Sequence, residues 1–109
     1  KEEAEAAKLI EDAIALEEAG CFALVLEKIP AELGKKVAER LTIPVIGIGA
    51  GRHVDGQVLV MHDMLGLTNN FSPKFLRRYA NLHDECLKAF SQYVEDVKSQ
   101  DFPNDKEQY

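Results

Sequence analysis

The sequence predicts an α/β fold in which helices alternate with the strands of a parallel sheet. Two short runs, residues 21–26 and 45–48, are almost continuously apolar, as strands buried on both faces of a sheet are. Segments whose apolar residues recur at helical spacing lie before and between these runs. A third short run, residues 58–61, follows a glycine loop. The order helix, strand, helix, strand, loop, strand indicates right-handed βα units.

The first predicted helix covers residues 2–19. Acidic residues separate its apolar positions, which are Ala6, Leu9, Ile10, Ala13 and Ile14. Gly20 then ends the helix, because glycine adopts the left-handed conformation of a C-terminal cap at little cost. We predict that the second helix begins near Pro30. Its buried stripe is formed by three apolar residues, Leu33, Val37 and Leu41.

The C-terminal part of the sequence changes from strands to helices. Ser72 before Pro73 has the pattern of an N-cap followed by proline at the first helical position, which predicts a helix over residues 74–79. A last helix is predicted from the spacing of four apolar residues, Leu87, Phe90, Val94 and Val97. We therefore divide the chain into residues 1–66, with the strands and the glycine loop, and residues 67–109, with the C-terminal helices and a polar tail.

Composition and charge restrict the classes of function. The 109 residues are 46% hydrophobic, enough to build a core, which argues against a disordered chain. The formal net charge of −6 and the pI near 5.0 argue against nucleic acid or an anionic membrane as a partner. No apolar run approaches the roughly 20 residues that cross a bilayer. Cys21 and Cys86 lie outside any metal-binding spacing and are interpreted as free thiols of a reducing cytosol.

The length suits one domain of ordinary size, but the start of the sequence and the number of strands predict a part of a larger fold. The sequence starts without Met, inside a charged helical pattern, which we interpret as a cut within a longer protein. Three parallel strands with one helix between the first two cannot close a barrel. A barrel of parallel strands that alternate with helices runs to about 250 residues. We therefore expect further strands outside the present sequence, and we expect the open strand edges to favour self-association.

Glu27 is the strongest candidate for a catalytic residue. It follows the apolar run at residues 21–26, and active sites of parallel α/β barrels lie at the carboxyl ends of the strands. A carboxylate in this place is expected to be partly desolvated, which makes it a better proton acceptor. The alternative is that Glu27 is an ordinary strand-end residue that pairs with a neighbour such as Lys28.

Three glycines, Gly47, Gly49 and Gly51, surround the end of the second predicted strand. Their backbone N–H groups could bind an anion or line a binding pocket. Equally, the glycines could only permit a tight turn and close packing. The sequence leaves both interpretations open, but no Gly-Lys-Ser/Thr follows, which argues against a nucleotide-binding P-loop.

The histidines do not form a recognisable metal-binding motif. His62 and Asp63 are adjacent near a predicted strand end, where successive side chains point to opposite faces, so they make a poor pair of ligands. We expect both to form structural hydrogen bonds, and we expect His53 and His83 at the surface. Five aromatic residues of the C-terminal part are expected in the core or at a subunit interface: Phe71, Phe75, Tyr79, Phe90 and Tyr93. We name no metal ligand in this sequence.

Three motifs in the same order resemble the ketopantoate hydroxymethyltransferase family. Residues 23–27 read Ala-Leu-Val-Leu-Glu and, with Pro30, match the family pattern Leu-Val-Leu-Glu-x-x-Pro. Residues 43–51 read Ile-Pro-Val-Ile-Gly-Ile-Gly-Ala-Gly and resemble the next strand and glycine loop of the family. Residues 55–63 resemble the segment that follows, and residues 73–75 resemble the start of the C-terminal helices. The resemblance covers nearly the whole chain.

This resemblance implies a (βα)₈ TIM-type barrel, with the chain as its C-terminal part: the last three strands plus the C-terminal helices. It implies transfer of a hydroxymethyl group from the co-substrate 5,10-methylenetetrahydrofolate to the 2-oxo acid 3-methyl-2-oxobutanoate, with Glu27 as the matching proton acceptor. Mg²⁺, held by carboxylates on earlier strands outside this sequence, would stabilise the enolate. The resemblance also implies a cytoplasmic homo-oligomer, a decamer at full length, and no activity of the 109 residues alone.

Two other functions are compatible with the same fold class. The first is another magnesium-dependent enzyme of 2-oxo acids, in the phosphoenolpyruvate mutase and isocitrate lyase superfamily. The motifs at residues 23–27 and 43–51 argue against it. The second is a non-catalytic assembly domain, in which the glycine loop is only structural and the C-terminal helices bind a partner. A requirement for the Glu27 carboxylate would distinguish the enzyme from the assembly domain.

Overall fold

The computed structural model describes residues 2–109, and within this range it contains four α-helices and three β-strands. In chain order they are α1 (Glu2–Glu18), β1 (Leu24–Glu27), α2 (Ala31–Arg40), β2 (Val45–Ile48), β3 (Gly56–Gln57), α3 (Met61–Met64) and α4 (Leu82–Lys98). The chain forms two compact units, of which one ends at Leu59 and the other is Val60–Tyr109. None of the described helices combines the length and the apolarity needed to cross a membrane.

The three strands form one parallel sheet in the order β1-β2-β3. Leu24 of β1 lies opposite Val45 of β2, and Glu27 lies opposite Ile48, so the two strands end together at one edge. The helix α2 connects β1 to β2 as the crossover that parallel strands require. The prediction of an α/β chain with a parallel sheet is therefore confirmed.

The core lies between the sheet and the helices α1 and α2. Its buried side chains are Ala13, Leu26, Val37, Leu41, Val45 and Ala50. Leu9, Ile10 and Ile14 of α1 pack against them at the spacing that predicted the helix. Gly20 follows the end of α1 and has a φ of 99°, the left-handed conformation that was predicted for the C-terminal cap.

Strand β1 is buried on one face only, so the prediction of two buried faces is wrong for this chain. Leu26 is 6% exposed and belongs to the core with Ala13 of α1 and Val37 of α2. Val25 points to the opposite face and is 60% exposed, and Phe22, before the strand, is 89% exposed. The sequence pattern records that both faces are apolar, but it does not record which face a helix covers.

The third strand is Gly56–Gln57, and the prediction of a strand over residues 58–61 is wrong. Asp55 fixes the pairing, because its backbone N–H donates to the Val45 carbonyl (2.9 Å) and its carboxylate accepts from the Val45 N–H (2.7 Å). The apolar residues with high strand propensity therefore lie beyond the paired segment. Met61 already begins α3, which shows that tertiary contacts override intrinsic strand propensity here.

The predicted helix over residues 74–79 is also wrong, because this segment forms a turn followed by extended chain. The Leu76 N–H donates to the Pro73 carbonyl (3.0 Å), which closes the turn. The Tyr79 N–H, which in a helix would donate to the Phe75 carbonyl, binds the Met64 carbonyl instead (2.8 Å). Ser72 does not act as an N-cap, since its hydroxyl accepts a long hydrogen bond from Arg78 (3.4 Å).

The last helix is confirmed as Leu82–Lys98, but it buries none of its side chains. The four apolar residues that predicted the helix, Leu87, Phe90, Val94 and Val97, are exposed, Phe90 most of all at 68%. The four aromatic residues Phe71, Tyr79, Phe90 and Tyr93 are all exposed, so the core interpretation is wrong for them. The interpretation as a subunit interface stays a prediction.

Candidate functional site

Glu27 is the last residue of β1, at the carboxyl edge of the sheet. Its side chain is exposed, so the expectation of a partly desolvated carboxylate is wrong for this chain. The alternative of an ion pair with Lys28 also fails, because no cation among residues 2–109 lies within ion-pair distance of this carboxylate. Glu27 therefore presents a free carboxylate to solvent at the end of the sheet where a barrel has its active site.

The chain after Glu27 is tied to the end of β2 by two backbone hydrogen bonds. Lys28 has a φ of 56°, in the left-handed region, and its N–H donates to the Ile48 carbonyl (2.8 Å). The Ile29 N–H donates to the Gly49 carbonyl (3.1 Å). A positive φ is strained for a residue other than glycine, and such strain persists where the surrounding structure holds it. The glycine loop thus holds the backbone that directly follows Glu27.

The glycines of this loop, residues 47–51, are needed for different reasons. Gly49 and Gly51 have φ values of 66° and 83°, which side-chain-bearing residues rarely adopt. Gly47 has no positive φ, but a Cβ there would lie 2.9 Å from Val54 Cγ2 and 3.3 Å from Ala50 Cβ. These contacts account for the glycines through turn geometry and close packing. Their proposed contact with a ligand stays a prediction.

Helix α2 contacts the glycine loop backbone to backbone. A Cβ on Gly51 would lie 2.5 Å from Ala31 Cβ and 2.8 Å from Ala31 Cα, at the first residue of α2. A Cβ on Gly34 would collide with the Ala50 carbonyl oxygen. The sequence analysis missed Gly34, although a glycine inside a helix costs about 1 kcal/mol relative to alanine and so signals a close approach.

Gln57 is a second residue that the sequence analysis missed. Its side-chain Nε2 donates to the Gly51 carbonyl at 2.7 Å, and its backbone lies opposite Gly47 in the β2–β3 pairing. Gln57 therefore bridges the start and the end of the glycine loop. In the sequence, Gln57 is only one of several polar residues between 52 and 57, which gives no indication of this contact.

His62 and Asp63 lie in α3 and not at a strand end, so the argument from opposite strand faces does not apply to them. Adjacent residues on a helix do not face each other either. His53 is exposed as expected, whereas His83 is half-buried with Nδ1 3.4 Å from the carboxylate of Asp84. The residues that the structure describes contain no group of three or more His, Cys, Asp or Glu side chains that could hold a metal ion.

Glu17 forms the most extensive side-chain contact of the first unit. One carboxylate oxygen accepts from the Thr42 hydroxyl (2.7 Å), the Thr42 N–H (2.6 Å) and the Ile43 N–H (2.9 Å). The hydrogen bond from the Thr42 hydroxyl is the main cause that lowers the pKa of Glu17, and the charge of Arg40 adds to it. This carboxylate joins the end of α1 to the chain that enters β2.

Comparison with known proteins adds information that the geometry alone does not give. The family model described as ketopantoate hydroxymethyltransferase matches residues 1–105. Curated relatives named 3-methyl-2-oxobutanoate hydroxymethyltransferase are 75% identical in Parabacteroides distasonis, 72% in Porphyromonas gingivalis and 70% in Flavobacterium johnsoniae, over all 109 residues. The chain spans 40% of the length of each of these relatives.

Proposed function

Since this chain belongs to the ketopantoate hydroxymethyltransferase family, we propose that the full-length protein transfers a hydroxymethyl group from 5,10-methylenetetrahydrofolate to 3-methyl-2-oxobutanoate. The product is ketopantoate, which leads to pantothenate. The names of the relatives support both the transferred group and the acceptor. The 109 residues supply one part of this enzyme.

In the full-length protein, the parallel sheet is part of a (βα)₈ barrel. Residues 1–66 are its final βα units, and residues 67–109 are the C-terminal helices with the polar tail. The parallel pairing of β1 with β2 and of β2 with β3 supports this assignment, because barrels of this type consist of parallel strands only. The common carboxyl edge of β1 and β2 then faces the active site.

Glu27 is the general base of the reaction. The observation that carries this assignment is its free carboxylate at the carboxyl end of β1, next to the glycine loop. The hydrogen on C3 of the substrate is weakly acidic because it lies next to the keto group. Glu27 accepts this proton, and C3 of the resulting enolate bonds to the methylene carbon of the folate as one of the two C–N bonds of that carbon breaks. Water replaces the second folate nitrogen on the same carbon and supplies the hydroxyl group, and the two freed nitrogens take up protons. Hydrolysis then releases ketopantoate and tetrahydrofolate.

The other components of the reaction are bound outside these 109 residues. Mg²⁺, when bound, stabilises the negative charge that develops on the enolate oxygen. Its ligands, and further residues that bind the 2-oxo acid and the folate, lie on strands that this sequence does not contain. The 109 residues alone are therefore inactive. The backbone of Gly47, Gly49 and Gly51 lines the substrate side of the barrel.

The full-length protein acts in the cytoplasm as a homo-oligomer. The proposed homo-oligomer is a decamer.

The test is the variant Glu27→Gln in the full-length protein. Loss of the base lowers turnover at least about a hundredfold, the usual contribution of a positioned general base. The exchange of the C3 hydrogen into D₂O, measured without folate, reports proton abstraction separately from group transfer. Both rates should fall together while the protein stays folded.

The matched control is Glu39→Gln, an exposed glutamate in the last turn of α2, which should retain normal rates. Near-normal turnover of Glu27→Gln would disprove the role of Glu27 as the base. A full-length wild-type protein that forms no ketopantoate from the two substrates with Mg²⁺ would disprove the proposed reaction itself.

A further inference from the structure

We propose that Gln57 is a positioning residue of this enzyme, which holds the glycine loop so that the loop in turn orients Glu27. This inference rests on the proposed function, because it names a new residue for the same site. Gln57 makes no contact with Glu27 in the described hydrogen bonds, so its effect passes through the backbone of residues 47–51.

Gln57 bridges the glycine loop at residues 47–51. Gln57 ends β3 opposite Gly47, and its Nε2 reaches the carbonyl of Gly51 at 2.7 Å. The Val58 N–H also donates to the Gly47 carbonyl, at 3.0 Å, which fixes the backbone on which the Gln57 side chain is mounted. The side chain thus spans the loop from its first residue to its last.

The glycine loop has an unusual backbone conformation. Gly49 and Gly51 both have positive φ, and glycine loses more conformational freedom on ordering than any other residue. A loop that contains them needs contacts that select one conformation. The hydrogen bond from Gln57 is the side-chain contact that acts directly on the Gly51 carbonyl, and it restricts the peptide group that closes the loop.

A backbone hydrogen bond connects the glycine loop to the segment that follows Glu27. The carbonyl of Gly49 accepts the hydrogen bond of the Ile29 N–H at 3.1 Å. Ile29 follows Lys28, whose left-handed backbone turns the chain directly after Glu27. A change in the orientation of the Gly49 peptide therefore displaces the end of β1 and the carboxylate that it carries.

The experiment replaces Gln57 with methionine in the full-length protein. Gln57→Met keeps the length of the side chain and removes its amide group, including the Nε2 donor to Gly51. We expect kcat to fall about three- to tenfold, the effect of one hydrogen bond that positions a reacting group, with KM unchanged. The deuterium isotope effect with C3-deuterated 3-methyl-2-oxobutanoate should rise, because proton abstraction becomes slower relative to the other steps.

A second measurement does not depend on turnover. Hydrogen exchange should show faster exchange of the Ile29 amide in Gln57→Met than in the wild type, because its acceptor on Gly49 is less ordered. The matched control is Gln92→Met, which removes the amide of another exposed glutamine, one that donates to Asp96 within α4 (2.9 Å). This control should change neither the isotope effect nor the exchange of the Ile29 amide.

With an active wild type, unchanged kcat and an unchanged isotope effect in Gln57→Met would overturn the inference alone. Unchanged hydrogen exchange of the Ile29 amide in this variant would also overturn it. A fall in kcat with an unchanged isotope effect would assign Gln57 a merely structural role and would also overturn it. The proposed function fails separately, if the wild type forms no ketopantoate or if Glu27→Gln is fully active; the positioning role then falls with it.

Discussion

In the unit that ends at Leu59, six buried apolar side chains form a core, whereas α4 of Val60–Tyr109 buries none of its own. The first unit is further fixed where one backbone segment lies close against another, as at Gly34 and the Ala50 carbonyl. In the second unit, a single side chain holds the loop at residues 68–72: Arg78 donates to the carbonyls of Thr68 (3.1 Å) and Phe71 (2.6 Å). Apolar residues therefore form a packed core in one unit, whereas those of α4 in the other unit stay largely exposed.

The largest expected effect tests the packing of the first unit. Gly51→Ala adds a Cβ at a φ of 83° and against Ala31, whereas Gly20→Ala adds one at a φ of 99° with no atom within 4 Å. Positive φ alone costs about 1–2 kcal/mol for a residue with a Cβ, and overpacking adds about 1–3 kcal/mol. We expect Gly51→Ala to lower the free energy of unfolding by the larger amount, measured by urea denaturation. Equal losses at both positions would show that the close approach to α2 has no energetic weight.

The next effect tests whether Arg78 stabilises the loop at residues 68–72 of the second unit. Arg78→Met removes its hydrogen bonds to Thr68, Phe71 and Ser72, which we expect to lower the local stability of the loop by about 1–2 kcal/mol. Hydrogen exchange and limited proteolysis at residues 68–72 measure this loss. Arg77→Met, the same substitution at the neighbouring exposed arginine, should leave the loop protected. Global unfolding of Arg78→Met would contradict the local role.

A smaller effect concerns the pH dependence of the first unit. The pKa of Glu17 is lowered from its ordinary value of 4.5, mainly by the hydrogen bond from the Thr42 hydroxyl. Its ionised form is therefore favoured in the folded state, and its stabilisation is fully present above pH 4.5. As the pH falls through the lowered pKa, this contribution is lost.

The variant Glu17→Gln should have a lower urea midpoint than the wild type at pH 7, and the difference should shrink below pH 4.5. The control Glu18→Gln changes the next, exposed residue of α1 and should match the wild type throughout. If the difference between Glu17→Gln and the wild type were independent of pH, the carboxylate charge would not be its cause.

The smallest effect is expected on α4, where it sharpens the contrast between the units. Phe90→Ala removes a large side chain that is mostly exposed, so the free energy of unfolding of the 109-residue chain should change by less than about 0.5 kcal/mol. Val37→Ala removes much less volume from the core and should cost about 1–3 kcal/mol. A large loss for Phe90→Ala would mean that another copy of the chain covers this face of α4.

The sequence predicted the elements whose signal is local and agrees with their packing. Strand β2 was predicted at its observed bounds because continuous apolarity coincides there with burial in the sheet. The family was predicted correctly from the motifs around Glu27 and the glycine loop. The structure brings Glu27 and the glycine loop to one edge because β1 and β2 are parallel and end together.

The failures have a common physical cause, since each depends on a contact that is distant in sequence. The third strand lies at Gly56–Gln57 because Asp55 binds Val45, ten residues earlier. The segment at residues 74–79 is not a helix because Tyr79 donates to Met64. The exposure of Glu27 depends on which other elements pack against this edge of the sheet, and the sequence of the edge alone does not determine them.

The contact between Gly34 and the Ala50 carbonyl has a consequence for protein engineering. Replacing a helical glycine with alanine is a standard way to gain about 1 kcal/mol of stability. In α2 this replacement would push the helix away from the glycine loop, because the added methyl group meets a backbone oxygen that no rotamer change can move. In a library of all substitutions, position 34 should accept glycine alone, while the adjacent Lys35 and Lys36 accept most residues. A design method that scores helix propensity without this oxygen would therefore choose alanine and separate the helix from the glycine loop.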